Sequence, residues 1–203
     1  MSPRKGLLLV VMEPSAPLEE EFNDWYDTEH FPQRRALPGF ESASRWVCIA
    51  GWPRWLALYD LTSPAALESE AYRAVSGPNS TPWSQRMLPR TIGRMRVIAE
   101  QTLPGDALTL DPARISRLLV ARYPAIERER EEAMYKQAIS AFRALDGVQQ
   151  LRFFQSVRAS AIDCWAIAAF DCPVSAETAA AAVGRIAKRG ADILNLYMPY
   201  WRE

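Results

Sequence analysis

Blocks of apolar and polar positions predict four strands and two helices in the first half of the chain. The run "LLLVV" predicts a buried strand, and the acids after Pro17 favour a helix N-terminus because they complement its dipole. Two alternating stretches around the turn "GWPR" predict a hairpin, and Ser63 followed by Pro64 predicts the start of a helix. The predicted elements are a strand at 7–11, a helix from about 17, strands at 38–50 and 55–61, a helix from 63 and a strand at 91–101.

The same order of elements returns after a turn-rich connector, "LPGDALTLDPA" (103–113). The second half is predicted to contain a strand at 115–124, a helix at 126–145, a hairpin of 147–157 and 164–171, a helix at 174–189 and a strand at 193–201. A short sequence motif repeats as well, because "RALPGF" (35–40) matches "RALDGV" (143–148). We interpret the chain as a tandem duplication of a ferredoxin-like βαββαβ unit, with residues 1–103 as the first repeat and 104–203 as the second.

This pattern predicts an α+β fold with a particular packing of its two sheets. An antiparallel sheet with both helices on one face leaves its other face bare, and two such sheets bury both bare faces when they pack together. One chain here carries both sheets. We therefore expect an intrachain α+β barrel, either as a monomeric pseudo-dimer or as a loose homodimer.

Composition excludes several classes of function. Lys+Arg and Asp+Glu are equal at 24 each, so no net charge favours nucleic acid or an acidic membrane. The N-terminal apolar run is too short for a secretory leader or a membrane span. Three cysteines without metal-ligand spacing and a single histidine argue against a metal site. We expect reduced thiols, a cytoplasmic location, no metal and no cofactor.

The helix after the first strand carries "NDWYDTEHFPQRRALPGF" (23–40), with the only histidine of the chain. His30 lies four residues after Tyr26 and three after Asp27, so the three side chains can be neighbours on a helix. Pro32 disfavours helical geometry at the preceding residue, which predicts that the helix ends near His30. At 100° per residue, one side of the helix would carry Leu18, Phe22, Trp25, Glu29 and Ala36.

Two interpretations of this segment remain open. Packing alone would explain it if Glu29 turns out to solvent or pairs with Arg34 or Arg35, because an unpaired buried carboxylate is unfavourable, and if His30 only caps the helix. The second repeat favours a functional interpretation. Its helix, "EREREEAMYKQAISAFRAL", keeps the amphipathic spacing but has no histidine, tryptophan or acid pair at the equivalent point. The first repeat is therefore predicted to carry the chemistry and the second to be a scaffold.

The segment "FNDWYDTEHFPQRRALPGFESASRW", with "LALYDLTSPAALESEAYRA" and "TPWSQRML", resembles the EthD-like branch of the dimeric α/β-barrel superfamily. The resemblance covers residues 7–101 closely and the second repeat only in the order of its elements. It implies that Trp25, Tyr26, Glu29 and His30 face the family's cavity. The superfamily includes cofactor-free oxygenases, polyketide cyclases and dehydratases, lactone isomerases and haem-handling enzymes.

We expect a cofactor-independent enzyme of the lyase, dehydratase or isomerase type that transfers a proton on an aromatic or polyketide-like molecule. His30 is the candidate general acid or base, since histidine exchanges protons near neutral pH, and Asp27 or Glu29 would orient it. Tyr26 and Asn23 would bind the substrate, and Trp25 and Trp46 would form apolar wall. The alternatives are a non-catalytic ligand-binding or stress-response protein, and a haem-handling protein or cofactor-free oxygenase.

Overall fold

Eight antiparallel strands close into one barrel in the order β1-β3-β2-β8-β5-β7-β6-β4. The coordinates are a computed structural model that describes residues 4–158, 161–184, 186 and 190–202. The strands are β1 (Gly6–Pro14), β2 (Phe40–Ala50), β3 (Trp55–Leu61), β4 (Thr91–Leu103), β5 (Arg117–Ile126), β6 (Val148–Arg158), β7 (Ala161–Phe170) and β8 (Ile193–Pro199).

Helices cover the outer faces of both sheets. The α-helices are α1 (Glu19–Trp25), α2 (Phe31–Arg35), α3 (Glu70–Arg73), α4 (Pro82–Met87), α5 (Glu131–Arg143) and α6 (Ala176–Val183), and a π-helix spans Tyr26–His30. Short 3₁₀ helices lie at Ala16–Leu18, Pro64–Glu68, Gly77–Asn79, Leu88–Arg90, Pro112–Arg114 and Arg128–Arg130. None of these described helices is long and apolar enough to cross a membrane.

The predicted intrachain barrel is confirmed. Each repeat contributes four strands, and β2–β8 and β4–β6 are the two seams at which the repeats join. Three apolar clusters result, one inside the barrel and one under the helices of each repeat. The boundary between residues 103 and 104 stays a prediction. The helix predicted from Ser63 is a 3₁₀ turn followed by the short α3, and residues 185 and 187–189 of the helix predicted at 174–189 lie outside the described residues.

The prediction that Pro32 ends the first helix near His30 is wrong. The chain forms one wider π-type turn at Tyr26–His30, in which the backbone N–H of Phe31 donates to the carbonyl of Tyr26, and helical geometry continues to Arg35. Pro32 then occupies the first turn of α2, where its missing N–H is tolerated. The helix ends before Gly39, whose positive φ of 85° suits glycine at this position.

A buried ion pair connects the two repeats at one end of the barrel. Asp60 of β3 and Arg152 of β6 are each 1% exposed in their side chains, and Arg152 Nη1 donates to Asp60 Oδ1 at 2.7 Å. Asp60 also accepts from Ser42 Oγ and from the backbone N–H of Thr109 in the connector. Burial alone would raise the pKa of Asp60, but the Arg152 guanidinium and these hydrogen bonds lower it below its usual value.

We predict that Arg152→Met destabilises the protein by about 3–5 kcal/mol, because it leaves the Asp60 carboxylate buried without a counter-ion. The double variant Asp60→Asn/Arg152→Met should lose less stability than the sum of the losses of Asp60→Asn and Arg152→Met measured separately. Urea unfolding measures both quantities. Lys136→Met, which breaks an exposed pair with Glu132, is the control and should change stability by at most about 1 kcal/mol. An Arg152→Met loss no larger than the control's would contradict this assignment.

Candidate functional site

His30 lies at the end of the π-helical turn, against the aromatic residues of the first helix. Its ring centroid is 4.5 Å from that of Trp25 and 5.2 Å from that of Tyr26. The Nδ1 atom is buried and has no hydrogen-bond partner among the described residues. Burial, then the charges of Arg34 and Arg45, lower the pKa of His30 to about 3. The imidazole is therefore neutral at physiological pH.

The π turn changes which residues of the helix face the sheet. Regular spacing predicted Glu29 and Ala36 on the apolar side, whereas the structure buries Arg34, leaves Ala36 exposed and turns the carboxylate of Glu29 to Thr81. The extra residue in the turn shifts the helical phase by one position. The buried positions then follow a spacing of four, through Phe22, Tyr26 and Arg34, with His30 between the last two.

Both candidate acid partners of His30 are bonded elsewhere. Asp27 forms an ion pair with Arg45 and accepts a hydrogen bond from the Tyr200 hydroxyl at 3.1 Å. Glu29 accepts a hydrogen bond from Thr81 Oγ1. The geometry therefore does not fit the prediction that Asp27 or Glu29 orients His30. The arginine neighbours dominate the electrostatics of the ring.

Arg45 forms the centre of an aromatic cluster next to this site. Its guanidinium lies 4.4 Å from the ring centroids of both Tyr26 and Tyr200 and 5.2 Å from that of Trp55. Asn23 Oδ1 accepts a hydrogen bond from Arg45 Nη2 at 2.8 Å. Asn23 thus holds Arg45 in this structure, whereas the sequence led us to expect that it binds substrate.

A half-open cleft of about 570 Å³ is lined in part by Arg45. Its lining includes Asp27, Phe31, Arg45, Tyr200 and Trp201, and His30 is not part of it. Arg202 pairs with Asp24 and so holds the C-terminal segment at this cleft. The cleft therefore does not include the imidazole of His30, although the neighbouring Phe31 lines it.

The two tryptophans predicted to form one apolar wall lie on opposite faces of the first sheet. Trp25 packs outside the barrel, between the helices and the sheet, and donates to Ser84 Oγ at 3.1 Å. Trp46 packs inside the barrel and donates to Ser44 Oγ. Because residues alternate between the faces of a strand, the odd-numbered Arg45 faces outward and the even-numbered Trp46 faces inward. Trp46 cannot line the same pocket as Trp25.

Sequence reasoning missed two buried polar residues, Arg34 and Tyr59. Arg34 is only 5% exposed, and among the described residues no carboxylate pairs with it. Its Nη2 donates to the carbonyl of Val75 at 2.8 Å, while Nη1 is buried without a partner. Tyr59 is 1% exposed, and its hydroxyl is also buried without a partner. Burial, then the neighbouring Tyr26, raise the pKa of Tyr59 well above its usual value.

The second repeat shows what packing alone requires at these positions. Leu37 N–H donates to Arg34 O and Leu145 N–H donates to Phe142 O, which makes Arg34 and Phe142 equivalent. His30 then corresponds to Ala138. By strand register, Ala43 faces Tyr59 as Leu151 faces Ala168. The residues of the second repeat, Ala138, Phe142 and Ala168, are apolar and 0% exposed. A comparison of the repeats along "RAL-G" could have revealed Arg34 from the sequence.

The two fused repeats and the closed barrel define the chain as having the dimeric α/β-barrel (ferredoxin-like) fold in tandem-repeat form. The predicted resemblance to this superfamily is thereby confirmed for the fold. Comparison with protein-family models and with curated protein sequences finds no match. Within the described residues, no group of three or more His, Cys, Asp or Glu side chains could hold a metal ion.

Solved structures of this fold align over nearly the whole chain. An anthrone oxidase-like protein aligns with a TM-score of 0.68 and 12% identity, covering 98% of this chain and 92% of that chain. A putative chlorite dismutase aligns with a TM-score of 0.61 and 8% identity, covering 97% and 95%. A haem-binding protein from Thermus thermophilus aligns with a TM-score of 0.56 and 11% identity, covering 98% and 92%. At these identities the similarity concerns the fold alone.

We predict that His30 makes the protein acid-sensitive in a defined pH window. The folded pKa of about 3 lies below the ordinary value of 6.5, so between these values the unfolded chain binds a proton that the folded chain does not. The unfolding free energy of the wild type should therefore fall with decreasing pH, by up to about 1.4 kcal/mol per pH unit, relative to that of His30→Gln. Urea unfolding from about pH 4 to pH 8 measures the difference, which should be constant above about pH 7. Parallel curves for the two proteins throughout would show that the ring is not held neutral.

Proposed function

We propose that the protein is a cofactor-independent enzyme that removes and returns a proton on a small aromatic or polyketide-like substrate, as a lyase, dehydratase or isomerase. The observation that carries the proposal is the neutral, buried and unpaired Nδ1 of His30 beside two guanidinium groups. A neutral imidazole accepts a proton, whereas an imidazolium cannot. General acid–base chemistry requires a proton acceptor or donor within hydrogen-bond reach of the proton that it transfers.

The charges around His30 favour an anionic intermediate. Proton transfer from a substrate C–H or O–H to Nδ1 creates an imidazolium and leaves the bond's electron pair on the substrate, where conjugation moves it to an oxygen. Beside Arg34 and Arg45 an imidazolium alone is unfavourable. An adjacent enolate or phenolate reverses this, because its negative charge interacts with the imidazolium and with both guanidiniums. The base is thus effective only with a substrate that can carry the charge.

The same intermediate leads to each reaction in the proposed class. Return of the proton from His30 to another carbon completes an isomerisation, and loss of a β-hydroxyl as water, which takes up that proton, completes a dehydration. Tyr26, at 5.2 Å between ring centroids, would position the substrate beside His30. Asp27 would act through Arg45, by fixing its guanidinium, instead of acting directly on His30.

Cofactor-free oxygenation is the second candidate, since it begins with the same proton abstraction. The carbanion then transfers an electron to dioxygen and combines with it to form a peroxide, which takes up the proton from His30 and loses water to leave a carbonyl. The structural similarity to an anthrone oxidase-like protein favours testing it. In a haem-handling role, His30 would be the candidate axial ligand and the haem would supply the redox chemistry. Nδ1 is enclosed and the Trp25 ring lies 4.5 Å from the imidazole, so an iron, like a substrate, reaches this nitrogen only if the surrounding side chains move. A non-catalytic binding protein remains the rival to an enzyme.

We predict that the wild type accelerates exchange of solvent deuterium into activated C–H positions of anthrone or a cyclic 1,3-diketone under nitrogen. His30→Gln should lower this acceleration by about 10²–10⁴-fold, because a neutral amide cannot act as the base. Proton NMR of the substrate measures the exchange without knowledge of the later steps. Tyr123→Phe, a buried tyrosine of the second repeat, is the folded control and should exchange like wild type. Equal exchange by His30→Gln, or none by wild type, would contradict the proposal.

The pH dependence of this exchange offers a separate prediction. An ordinary histidine base loses activity as pH falls through 6.5, but His30 keeps its lone pair down to about pH 3 in the free enzyme. The value of kcat/KM should therefore show no acidic decrease with a midpoint between pH 5 and pH 8. A decrease centred near the ordinary histidine pKa would show that another group is the base. Repeating the assay under air, with an oxygen electrode, distinguishes the oxygenase from the isomerase or lyase.

A further inference from the structure

Arg34 is a buried charge without a counter-ion in the described part of the chain. The residue is 5% exposed, the only hydrogen bond of its guanidinium to a described residue is to the carbonyl of Val75, and its Nη1 has no partner there. Arg45 provides the contrast, since it is 6% exposed but is paired with Asp27 and bonded to Asn23. A buried charge is ordinarily paired, because isolation from water without compensation is strongly unfavourable.

A second unsatisfied group lies beside Arg34. The Tyr59 hydroxyl is buried and forms no hydrogen bond of normal geometry among the described residues, although Tyr26 is close enough to raise its pKa through such a contact. The Phe40 ring connects Tyr59 with Arg34, since it lies 5.7 Å from Tyr59 and stacks on Tyr72, over which the Arg34 guanidinium lies. The buried, unpaired Nδ1 of His30 lies one helical turn before Arg34. Polar atoms of this kind are rarely left unsatisfied in proteins, so the donors of Arg34 and Tyr59, which lie between the first helix and the sheet, indicate a missing partner. A guanidinium and a hydroxyl both donate hydrogen bonds, and the guanidinium is positively charged. The missing partner is therefore a hydrogen-bond acceptor that carries a negative charge.

We infer that Arg34 and Tyr59 form a subsite for the anionic oxygen of an aromatic substrate, either a carboxylate or an ionised phenol or enol. Binding of the anion does not depend on the proposed function. Only the choice of the reacting group rests on it, since His30 would act on the part of the substrate next to this anion. Arg34 would bind the oxygen with its free Nη1, and Tyr59 would donate its hydroxyl. Charge-assisted hydrogen bonds of this kind are among the strongest in proteins.

The surrounding rings favour an aromatic ligand. The Arg34 guanidinium lies 5.2 Å from the ring centroid of Tyr72, and Phe40 lies 5.7 Å from Tyr59 and stacks on Tyr72 at 6.1 Å. Phe31 lies 5.9 Å from Tyr59. A flat ligand between such rings gains apolar contact while its anion reaches the donors. The unpaired atoms are enclosed in this conformation, so a ligand reaches them only if α3 and the adjoining short turns move away from the sheet.

The second repeat argues against a purely structural role for these groups. Its equivalent positions, Phe142 and Ala168, are fully buried and apolar, and its sheet and helix pack in the same way. A structural arginine would have to stabilise the fold through its hydrogen bond to Val75. A binding arginine instead destabilises the ligand-free protein, because its desolvation is not compensated. The two roles predict stability changes of opposite sign.

Calorimetric titration with aromatic anions tests the subsite. We expect the wild type to bind 2-naphthoate at least about tenfold more tightly than the neutral 2-naphthamide. Arg34→Gln should remove this preference, because it should lower the affinity for naphthoate by about ten- to a hundredfold. Tyr59→Phe should lose less, about three- to tenfold, because only one neutral donor is removed. The controls are Arg143→Gln, an exposed arginine of the second repeat, and Tyr123→Phe, and both should bind like wild type. 4-Nitrophenol, whose anion is coloured, shows whether the subsite also takes an ionised phenol.

Urea unfolding without ligand supplies the second readout. Arg34→Met and Tyr59→Phe should leave the unfolding midpoint unchanged or raise it, whereas Arg45→Met and Tyr123→Phe should lower it because they break satisfied contacts. A lowered midpoint for Arg34→Met together with unchanged naphthoate binding would overturn the inference. So would equal binding of naphthoate and naphthamide, or no binding of either anion at millimolar concentration. His30→Gln should keep naphthoate binding, so loss of exchange with retained binding separates the proposed function from this subsite.

Discussion

The packed interior of the barrel determines where this protein can bind a small molecule. Side chains from both sheets, among them Trp46, Phe154 and Trp165, fill the space that barrel closure creates. The Asp60–Arg152 pair and its bonds to the connector join the repeats at one end of this interior. A filled barrel leaves the outer faces of the sheets, under the helices, as the places where polar groups can meet a ligand. The chemistry-bearing residues of the first repeat lie there.

On the outer face, one local feature of the backbone decides which side chains point inward. The π turn at Tyr26–His30 adds a residue to the helix and so changes its phase, which buries Arg34 and turns Glu29 away to Thr81. Pi-type turns of this kind often occur at functional sites, because they move a side chain without breaking the helix. The neutral state of His30 follows from the same change, since its charged neighbours are Arg34 and Arg45 and neither candidate acid is bonded to it.

The order of elements could be predicted from the sequence because strand and helix periodicities are local properties, and the repetition of "RAL-G" pointed to a duplication. The partners of His30 could not be predicted, for two physical reasons. A helical wheel assumes 100° per residue, so a single π turn displaced Glu29 and Ala36 from their expected positions. Strand alternation would have separated Trp46 from Trp25, but only once the two faces of β2 had been assigned to the barrel interior and to the helices. Arg34 was expected at most to pair with Glu29, because arginine is ordinarily either exposed or paired.

The two repeats allow an internal comparison of polar and apolar side chains at equivalent positions of one fold. In the second repeat, Ala138, Phe142 and Ala168 pack helix against sheet with no buried polar atom from their side chains. The first repeat replaces them with His30, Arg34 and Tyr59, each with a buried atom that lacks a partner. Such replacements lower the stability of the ligand-free protein, and the apolar repeat and the shared barrel interior offset that loss. If the inferred subsite binds a ligand, duplication separates the two requirements, since one half supplies packing and the other holds groups that the ligand satisfies.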